Sequence, residues 1–152
     1  MEEEKLAGMV DITEKPSVHR TATASGSIRL KESTIEAIRS GRQVKKGDVL
    51  ATARLAAILA VKDTPRLIPL CHAIPITGLK VHFDLEQERI RIKVTVTSVG
   101  KTGVEMEALT GVAVALLNVW DMVKYLEKDE TGNYPETEIA EIKVLSKKKI
   151  LK

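Results

Sequence analysis

The sequence predicts an α+β domain in which an antiparallel sheet is covered on one face by helices, and three patterns support this class. The long segment 99–124 carries apolar residues at three- and four-residue steps, the period of a helix that packs one face against a core. The segments 77–85 and 89–98 alternate with period two, as half-buried strands do. Only the polar residues 86–88 separate these two strands, so they should form an antiparallel hairpin.

The chain before this hairpin supplies a strand and two helices. Residues 19–30 alternate polar and small apolar residues, with β-branched Thr and Ile among them, which predicts a strand. Glu32 or Ser33 can then open a short helix that ends at Gly41. Asp48 is a good N-cap for the second helix, because its carboxylate can accept the free amide protons of the first turn.

The second helix is predicted to end at about Lys62, and an irregular segment follows it. Residues 67–75, LIPLCHAIP, are too apolar for a solvated loop. Pro69 and Pro75 exclude a regular central strand there, so the segment is predicted to be an irregular, buried wall.

The last part of the chain completes the topology. A polar stretch at 127–136 ends the long helix, and Ile139, Ile142 and Val144 predict a final strand. The order strand, helices, two strands, helix, strand is the β-α-β-β-α-β order of a ferredoxin-like sandwich with an antiparallel sheet.

Length and composition indicate one domain that builds its core without covalent cross-links. Residues 1–15 are predicted to form an N-terminal arm ahead of a single domain at 16–152. The lone Cys71 excludes an internal disulfide and is typical of a reducing compartment. The N-terminus lacks the pattern of a secretory signal, and no apolar run approaches the roughly 18 residues of a membrane span, so we expect a cytoplasmic protein with no membrane partner.

The 24 basic and 21 acidic residues are unevenly distributed, because lysines crowd the end of the chain. These are Lys147, Lys148, Lys149 and Lys152. The pattern predicts either an anionic partner or, as the commoner case, a frayed basic tail.

Asp121 and Lys124 lie three residues apart on the long helix and therefore project from the same side, with Asn118 one turn earlier. Either they form an ion pair on a solvated face or they belong to a site. Glu107 lies fourteen residues before Asp121, which on a continuous helix is roughly 21 Å. If both ends of the helix do chemistry, the site must be long or assembled from two subunits.

Three further motifs suggest chemistry and also have structural explanations. Gly100-Lys101-Thr102 is not a phosphate-binding loop, because Thr95 stands where that motif needs glycine. Cys71 and His72 lack the further ligands of a zinc site, so Cys71 is expected to be buried, while a functional role for His72 stays open. Lys46, beside Lys45 and just before a helix N-terminus, favours a phosphate or carboxylate, although an exposed loop lysine is the commoner case for this residue type.

Five segments of the chain together carry a family resemblance. They are MVDITEKP at 9–16, KKGDVLATAR at 45–54, LIPLCHAIP at 67–75, GKTGVEMEALTGV at 100–112 and DMVK at 121–124. They are spread from residue 9 to residue 124 in the expected order, and the combination of LIPLCH, KTGVEMEALT and DMVK is highly specific. In these segments the chain resembles the MoaC family, the cyclic pyranopterin monophosphate synthases of molybdenum-cofactor biosynthesis.

The resemblance implies a lyase that converts (8S)-3',8-cyclo-7,8-dihydroguanosine 5'-triphosphate, a cyclic dihydro-GTP, into cyclic pyranopterin monophosphate and pyrophosphate. The catalytic residues it implies are Asp121, Lys46, Lys124 and His72. The substrate-binding residues it implies are Leu70, Cys71, His72, Glu105, Met106, Glu107, Arg20, Asp11 and Lys147. It also implies a homohexamer, a trimer of dimers with sites at subunit interfaces. No metal site or required cofactor is expected, although Mg²⁺ could accompany the triphosphate.

Chemistry gives these residues plausible roles. Arg20, Lys46 and a C-terminal lysine can hold the triphosphate, arginine by paired hydrogen bonds and lysine by charge. Lys124 beside Asp121 is suited to general acid–base work, and Glu105 or Glu107 can accept hydrogen bonds from N–H groups of the base.

Two departures from the family pattern are visible. The connection between Lys124 and Lys147 is longer than usual, with ETGNYPET as the insertion. Lysines at 147–149 replace the usual GGKSG ending, so more than one of them is a candidate for the phosphate-binding role.

Two other functions remain alternatives. An RNA-binding module is a common use of a ferredoxin-like sheet with a basic tail, but it needs exposed aromatics, and only Phe83 lies in the predicted hairpin, so we expect no nucleic-acid partner. A non-catalytic sensor of the same ligand differs from the enzyme only in turnover.

Overall fold

The computed structural model describes residues 8–41 and 44–150. It contains four strands and three helices in the order expected from the sequence. They are β1 (Val18–Arg29), α1 (Glu32–Arg39), α2 (Val49–Leu67), β2 (Ile76–Leu85), β3 (Arg89–Gly100), α3 (Glu105–Glu127) and β4 (Glu138–Ile150).

The strands form one antiparallel sheet in the order β2-β3-β1-β4, which confirms the ferredoxin-like sandwich. All three helices lie in the two crossover connections, and α2 and α3 pack on the same face of the sheet. The core therefore lies between that face and the helices. The opposite face carries Lys80, His82, Lys93 and Thr95, as the alternation of the strands predicts.

α1 begins at Glu32, but neither Glu32 nor Ser33 caps it. The cap comes from the far end of α3, where the buried Glu127 carboxylate accepts the Lys31 N–H at 3.2 Å. The same carboxylate accepts the hydroxyls of Thr34 and Thr137. Glu127 thus joins the start of α1 and the approach to β4 to the last turn of α3.

α2 is capped as predicted, since the Ala51 N–H donates to Asp48 Oδ1 at 2.9 Å. The prediction that α2 ends near Lys62 was wrong, because the helix continues through Pro65 to Leu67. The extra turn is stabilised by burial of Thr64 in the core. Pro65 is tolerated because it lies close to the helix end and removes only one backbone hydrogen bond.

α2 and α3 approach closely because small residues line their contact. The buried alanines on α2 are Ala53, Ala57 and Ala60, and α3 presents Ala108, Gly111 and Ala115. A Cβ at Gly111 would lie only 2.8 Å from Val61 Cγ2. The backbone of α3 therefore contacts α2 directly at this point.

β4 corrects the expectation of a frayed basic tail. It is thirteen residues long and pairs with β1 through Ala22↔Lys147, Thr21↔Lys148 and Arg20↔Lys149. Lys147 and Lys149 therefore alternate with Lys148 across the sheet, and Lys147 points to the helix side. Lys152 lies outside the described residues.

The LIPLCHAIP segment is irregular, as predicted, but the expectation that it forms a buried wall is wrong for the single chain. Leu67 and Leu70 are both about half exposed. Of the predicted arm, residues 8–15 have no regular secondary structure, and residues 1–7 lie outside the described part of the chain.

α3 is also long and apolar enough to cross a membrane, which contradicts the expectation that no segment approaches that length. Over half of its most apolar window is buried within the domain. A core helix of a globular domain meets the same criterion, because it is surrounded by apolar neighbours.

Candidate functional site

The C-terminal half of α3 carries a lysine cluster, which we define as Lys46, Asp121 and Lys124. Lys46 Nζ lies 2.7 Å from Asp121 Oδ2, and Lys124 Nζ lies 3.1 Å from Asp121 Oδ1. One carboxylate therefore bridges two ammonium groups from distant segments. The two lysines hold the pKa of Asp121 below its ordinary value, and the hydrogen bond from Lys46 is the largest single cause. Asp121 and Lys124 form the ion pair expected from spacing, and Lys46 makes it a three-charge cluster.

The lysine cluster is half-exposed and adjoins an apolar groove. Leu117, Trp120 and Ile139 line this groove, which has a volume of about 350 Å³ and also includes Asp121 and Lys124. Asn118, the third residue of the expected polar stripe, has a buried Oδ1 without a hydrogen-bond partner in the described structure.

The N-terminal end of α3 carries a carboxylate cluster, which we define as Glu105, Glu107, Cys71 and Lys147. Lys147 Nζ on β4 donates to Glu105 Oε1 at 3.2 Å. The Cys71 thiol donates to Glu107 Oε2 at 3.9 Å, a distance that only a sulfur donor allows. The cluster thus joins α3, β4 and the LIPLCHAIP segment.

Burial changes the acidity of this cluster. Glu107 is 1% exposed, and loss of hydration raises the pKa of its carboxyl group above the ordinary value. Burial also raises the pKa of the Cys71 thiol, and the nearby Glu107 charge adds to the effect. Cys71 is therefore a protonated donor rather than a thiolate nucleophile at neutral pH.

Each of the two glutamates has one buried oxygen without a partner. These atoms are Glu105 Oε2 and Glu107 Oε1. A buried acceptor without a donor is costly, so each of these oxygens could accept a hydrogen bond from an N–H group of a ligand.

His72 contacts the segment that precedes β1. Its Nε2 lies 2.6 Å from the Val10 carbonyl oxygen. Lys101 Nζ donates to the Thr13 carbonyl at 3.0 Å. Asp11 lies between these contacts, and its pKa is lowered chiefly by hydrogen bonds from Thr13, with smaller contributions from His72 and Lys101.

The remaining expected binding residues surround the carboxylate cluster without all facing one point. Arg20 is buried on β1 and donates from Nε to the Gly100 carbonyl at 3.1 Å. Met106 and Leu70 are exposed apolar residues.

The structure does not bring the two clusters together within one chain. α3 is continuous between Glu107 and Asp121, so their separation is roughly 21 Å along the helix axis. The expected catalytic residues Lys46, Asp121 and Lys124 thus meet at one end, while His72 and most of the binding residues lie toward the other.

The structure adds residues that the sequence interpretation did not place in the site. Gly103 gives Glu105 its space, because a Cβ there would be within contact distance of Glu105 Oε2. Tyr125 accepts the Lys45 N–H on the face of α3 that carries Asp121. The four-residue spacing of Asp121 and Tyr125 was the available signal for the second.

Within residues 8–41 and 44–150, no group of three or more His, Cys, Asp or Glu side chains is close enough to hold a metal ion.

Comparison with known proteins agrees with the sequence resemblance. The MoaC family model matches residues 9–149. A protein of Methanothermobacter thermautotrophicus named probable cyclic pyranopterin monophosphate synthase accessory protein is 58% identical, covering 97% of this chain and 92% of its own. The probable cyclic pyranopterin monophosphate synthase of Archaeoglobus fulgidus is 61% identical over 93% of this chain and 90% of its own. The probable cyclic pyranopterin monophosphate synthase of Methanococcoides burtonii is 62% identical over 94% of this chain and 89% of its own.

Proposed function

The chain belongs to the MoaC family, and from that premise we propose that it is a cyclic pyranopterin monophosphate synthase. It converts the cyclic dihydro-GTP described above into cyclic pyranopterin monophosphate and pyrophosphate in molybdenum-cofactor biosynthesis. In class it is a pyrophosphate-releasing lyase, and it acts in the cytoplasm. The observation that carries the proposal is the lysine cluster, in which the two lysines expected to be essential meet on the expected catalytic aspartate.

The lysine cluster supports proton transfer. Opening and reclosing a purine ring requires protons to be delivered and removed at several atoms, and paired lysines on a common carboxylate supply donors at fixed positions. The lowered pKa of Asp121 keeps this carboxylate ionised at neutral pH, so it can hold both ammonium groups and orient them. Its half-exposed position leaves room for a substrate to approach them.

The carboxylate cluster supports recognition of the guanine-derived base. An exocyclic amine and a ring N–H are donors, and Glu105 Oε2 and Glu107 Oε1 are buried acceptors without partners. Hydrogen bonds from the base to these oxygens would remove the free-energy cost of burying acceptors without donors. An analogue of the base that lacks these N–H groups would leave that cost in place.

Cations near the N-terminal end of α3 support binding of the triphosphate. Arg20 and Lys147 lie on β1 and β4, and Lys101 follows β3. Arginine offers paired donors and lysine a point charge, which together suit a polyanion. His72 contacts the Val10 carbonyl, and His72 and Lys101 both contribute to the lowered pKa of Asp11, so these three residues could contact the same ligand.

We further infer that a complete site uses two subunits of a homohexamer, a trimer of dimers. Roughly 21 Å along α3 separates Glu107 from Asp121, so one ligand contacts both clusters only if each cluster comes from a different chain. Large apolar side chains that a partner could cover are exposed in the single chain. They include Leu55, Leu59, Leu70, Leu117 and Leu145.

Turnover is tested by incubating the purified protein with the cyclic dihydro-GTP and analysing the products by mass spectrometry, beside an Asp121→Asn variant. We expect cyclic pyranopterin monophosphate and pyrophosphate with the unaltered chain and neither product with the variant. Unchanged substrate that co-elutes with the unaltered protein would instead support the ligand sensor.

Sharing of the site is tested by mixing two inactive variants, Glu107→Ala and Asp121→Asn, under conditions that exchange subunits. In a two-fold dimer of one Glu107→Ala chain and one Asp121→Asn chain, one of the two shared sites holds both substitutions and the other holds neither. Random exchange should therefore restore about 25% of full activity. No recovery, with exchange confirmed by native mass spectrometry, would assign both clusters to sites within single chains.

A further inference from the structure

Lys46 reaches Asp121 from a tight turn whose placement depends on few contacts. The turn spans Val44 to Gly47 and is closed by a hydrogen bond from the Gly47 N–H to the Val44 carbonyl at 2.9 Å. Gly47 has φ of +112°, a conformation that glycine adopts without strain. Lys45 and Lys46 are the two central residues, so the orientation of the turn relative to α3 determines where the Lys46 side chain starts.

Tyr125 contacts the centre of this turn. Its hydroxyl accepts the Lys45 N–H at 3.1 Å, and the Lys45 ammonium lies 5.0 Å from the centre of its ring. Tyr125 is one helical turn after Asp121 on α3. The same face of α3 therefore contacts two successive residues of the turn, Lys45 through its backbone and Lys46 through its side chain.

The other anchors hold only the ends of the turn. Val44 is buried in the core, and Asp48 caps α2 just after Gly47. Neither contact ties the peptide between Val44 and Lys45 to α3, which is what the Tyr125 hydroxyl does. Because misplacing a reacting group by about 1 Å can reduce the rate roughly a hundredfold, this placement of the turn on α3 matters for a lysine that transfers protons.

We propose that Tyr125 is a positioning residue whose hydroxyl fixes the Lys45 amide and thereby seats the Lys46 ammonium on Asp121. Its effect on turnover rests on the proposed function, whereas its effect on the position of Lys46 does not. The ring of Tyr125 also packs against Lys45, so the test must separate the hydroxyl from the ring.

Tyr125→Phe makes this separation, because it keeps the ring and its cation–π contact and deletes only the acceptor. Tyr134→Phe is the matched control. Tyr134 packs edge-on against Trp120 at 5.1 Å, and within the described structure its hydroxyl makes no hydrogen bond. Both variants remove one hydroxyl near the same groove, but only the first removes a contact with the turn.

Lysine placement is measured by labelling each protein with trace acetic anhydride and quantifying acetylation by peptide mass spectrometry. An ammonium held on a carboxylate is shielded from the reagent, so Lys46 acetylation should rise about threefold in Tyr125→Phe, the change expected on loss of one ordinary hydrogen bond. It should stay unchanged in Tyr134→Phe, with exposed Lys62 as internal reference. No rise in Tyr125→Phe, or an equal rise in both variants, would overturn the proposal.

Turnover then tests the catalytic consequence. With the cyclic dihydro-GTP, kcat of Tyr125→Phe should fall about fivefold with KM changed less than twofold, since the hydroxyl does not contact substrate. Tyr134→Phe should keep the original kcat. Looser Lys46 with an unchanged kcat would contradict the positioning role. An unaltered chain that makes no product would contradict the proposed function, while acetylation would still decide how Lys46 is placed.

Discussion

The two ends of α3 hold carboxylates in opposite conditions. At the C-terminal end, Asp121 is half-exposed, and both of its oxygens contact lysines. At the N-terminal end, Glu107 is buried, one of its oxygens accepts a hydrogen bond from a thiol, and the other has no hydrogen-bond partner in the described structure. One helix thus presents a charge that is satisfied within the protein and another that is not.

This difference indicates what each end does with a ligand. The paired lysines lower the pKa of Asp121 and keep its carboxylate ionised. The carboxylate in turn holds both ammonium groups in place before substrate arrives. A buried carboxylate without a donor gains most from a ligand that supplies one. We therefore propose that the first end carries out proton transfer and that the second recognises the substrate.

Loss of one lysine should break the C-terminal arrangement with the largest effect. Lys46→Ala should lower kcat roughly 10³-fold, because general acid–base groups contribute on that order. Its melting temperature should change little, since an exposed ion pair stabilises weakly. Product formation measured by mass spectrometry checks this, with Lys62→Ala on the surface of α2 as control. A Lys46→Ala variant that keeps a tenth of the original rate would remove this lysine from the mechanism.

Glu127 sharpens the comparison, because it is as buried as Glu107 but has three donors. Glu127→Gln should lower the free energy of unfolding by about 2 kcal/mol, since an amide cannot accept from all of them. Urea unfolding measures this, with exposed Glu130→Gln as the matched control. Equal stability of the two variants would show that these hydrogen bonds do not hold α1 and β4 to α3.

Gly103→Ala perturbs the N-terminal end without removing a charged group. The added Cβ would intrude on Glu105 Oε2 and come within 3.0 Å of Lys147 Cε, so the ion pair must shift. We expect KM to rise roughly tenfold, because a change of this size corresponds to the loss of one charge-assisted hydrogen bond. Gly100→Ala is the control, because its nearest neighbour, Ile74 Cγ2, would be at an ordinary 3.6 Å. An effect of the same size in both variants would mean that the loop, and not the carboxylate, is responsible.

Glu107→Gln should produce the smallest change and one that depends on pH. Burial raises the pKa of Glu107 in the folded protein, so the stability gained from protonation is fully present below the ordinary value of 4.5 and is lost as pH rises through the folded-state pKa. Glutamine resembles the protonated form. The variant should match the original chain below pH 4.5 and be more stable by about 1 kcal/mol at pH 8. Urea midpoints across this range measure the difference, and a gap independent of pH would contradict the raised pKa.

The regular elements could be predicted from the sequence because each has a strong local period. The β2–β3 hairpin and α3 show this most clearly. Local patterns failed where tertiary contacts decided. α2 continues past Lys62 because Thr64 is buried in the core, and the lysines at 147–149 are ordered because β1 offers them an edge.

Contacts among the expected site residues could be predicted from the sequence only in part. The spacing of Asp121 and Lys124 predicted their contact, and a continuous α3 predicted that Glu107 lies far from both. That Lys46 joins Asp121 depends on a turn 75 residues away along the chain. The exposure of Leu70 was also out of reach, since a sequence does not state whether an apolar loop faces its own core or another surface.

The glycine at the crossing of α2 and α3 has a consequence for how the protein responds to heat. With Gly111 against Val61 and the Ala57 carbonyl, the two helices cannot slide past each other without a steric clash. They should therefore separate only when the whole domain opens, and amide protons near this crossing should be the slowest to exchange with deuterium. The start of α2 carries the turn that holds Lys46, so the alignment of that lysine with Asp121 should survive thermal motion up to the melting point.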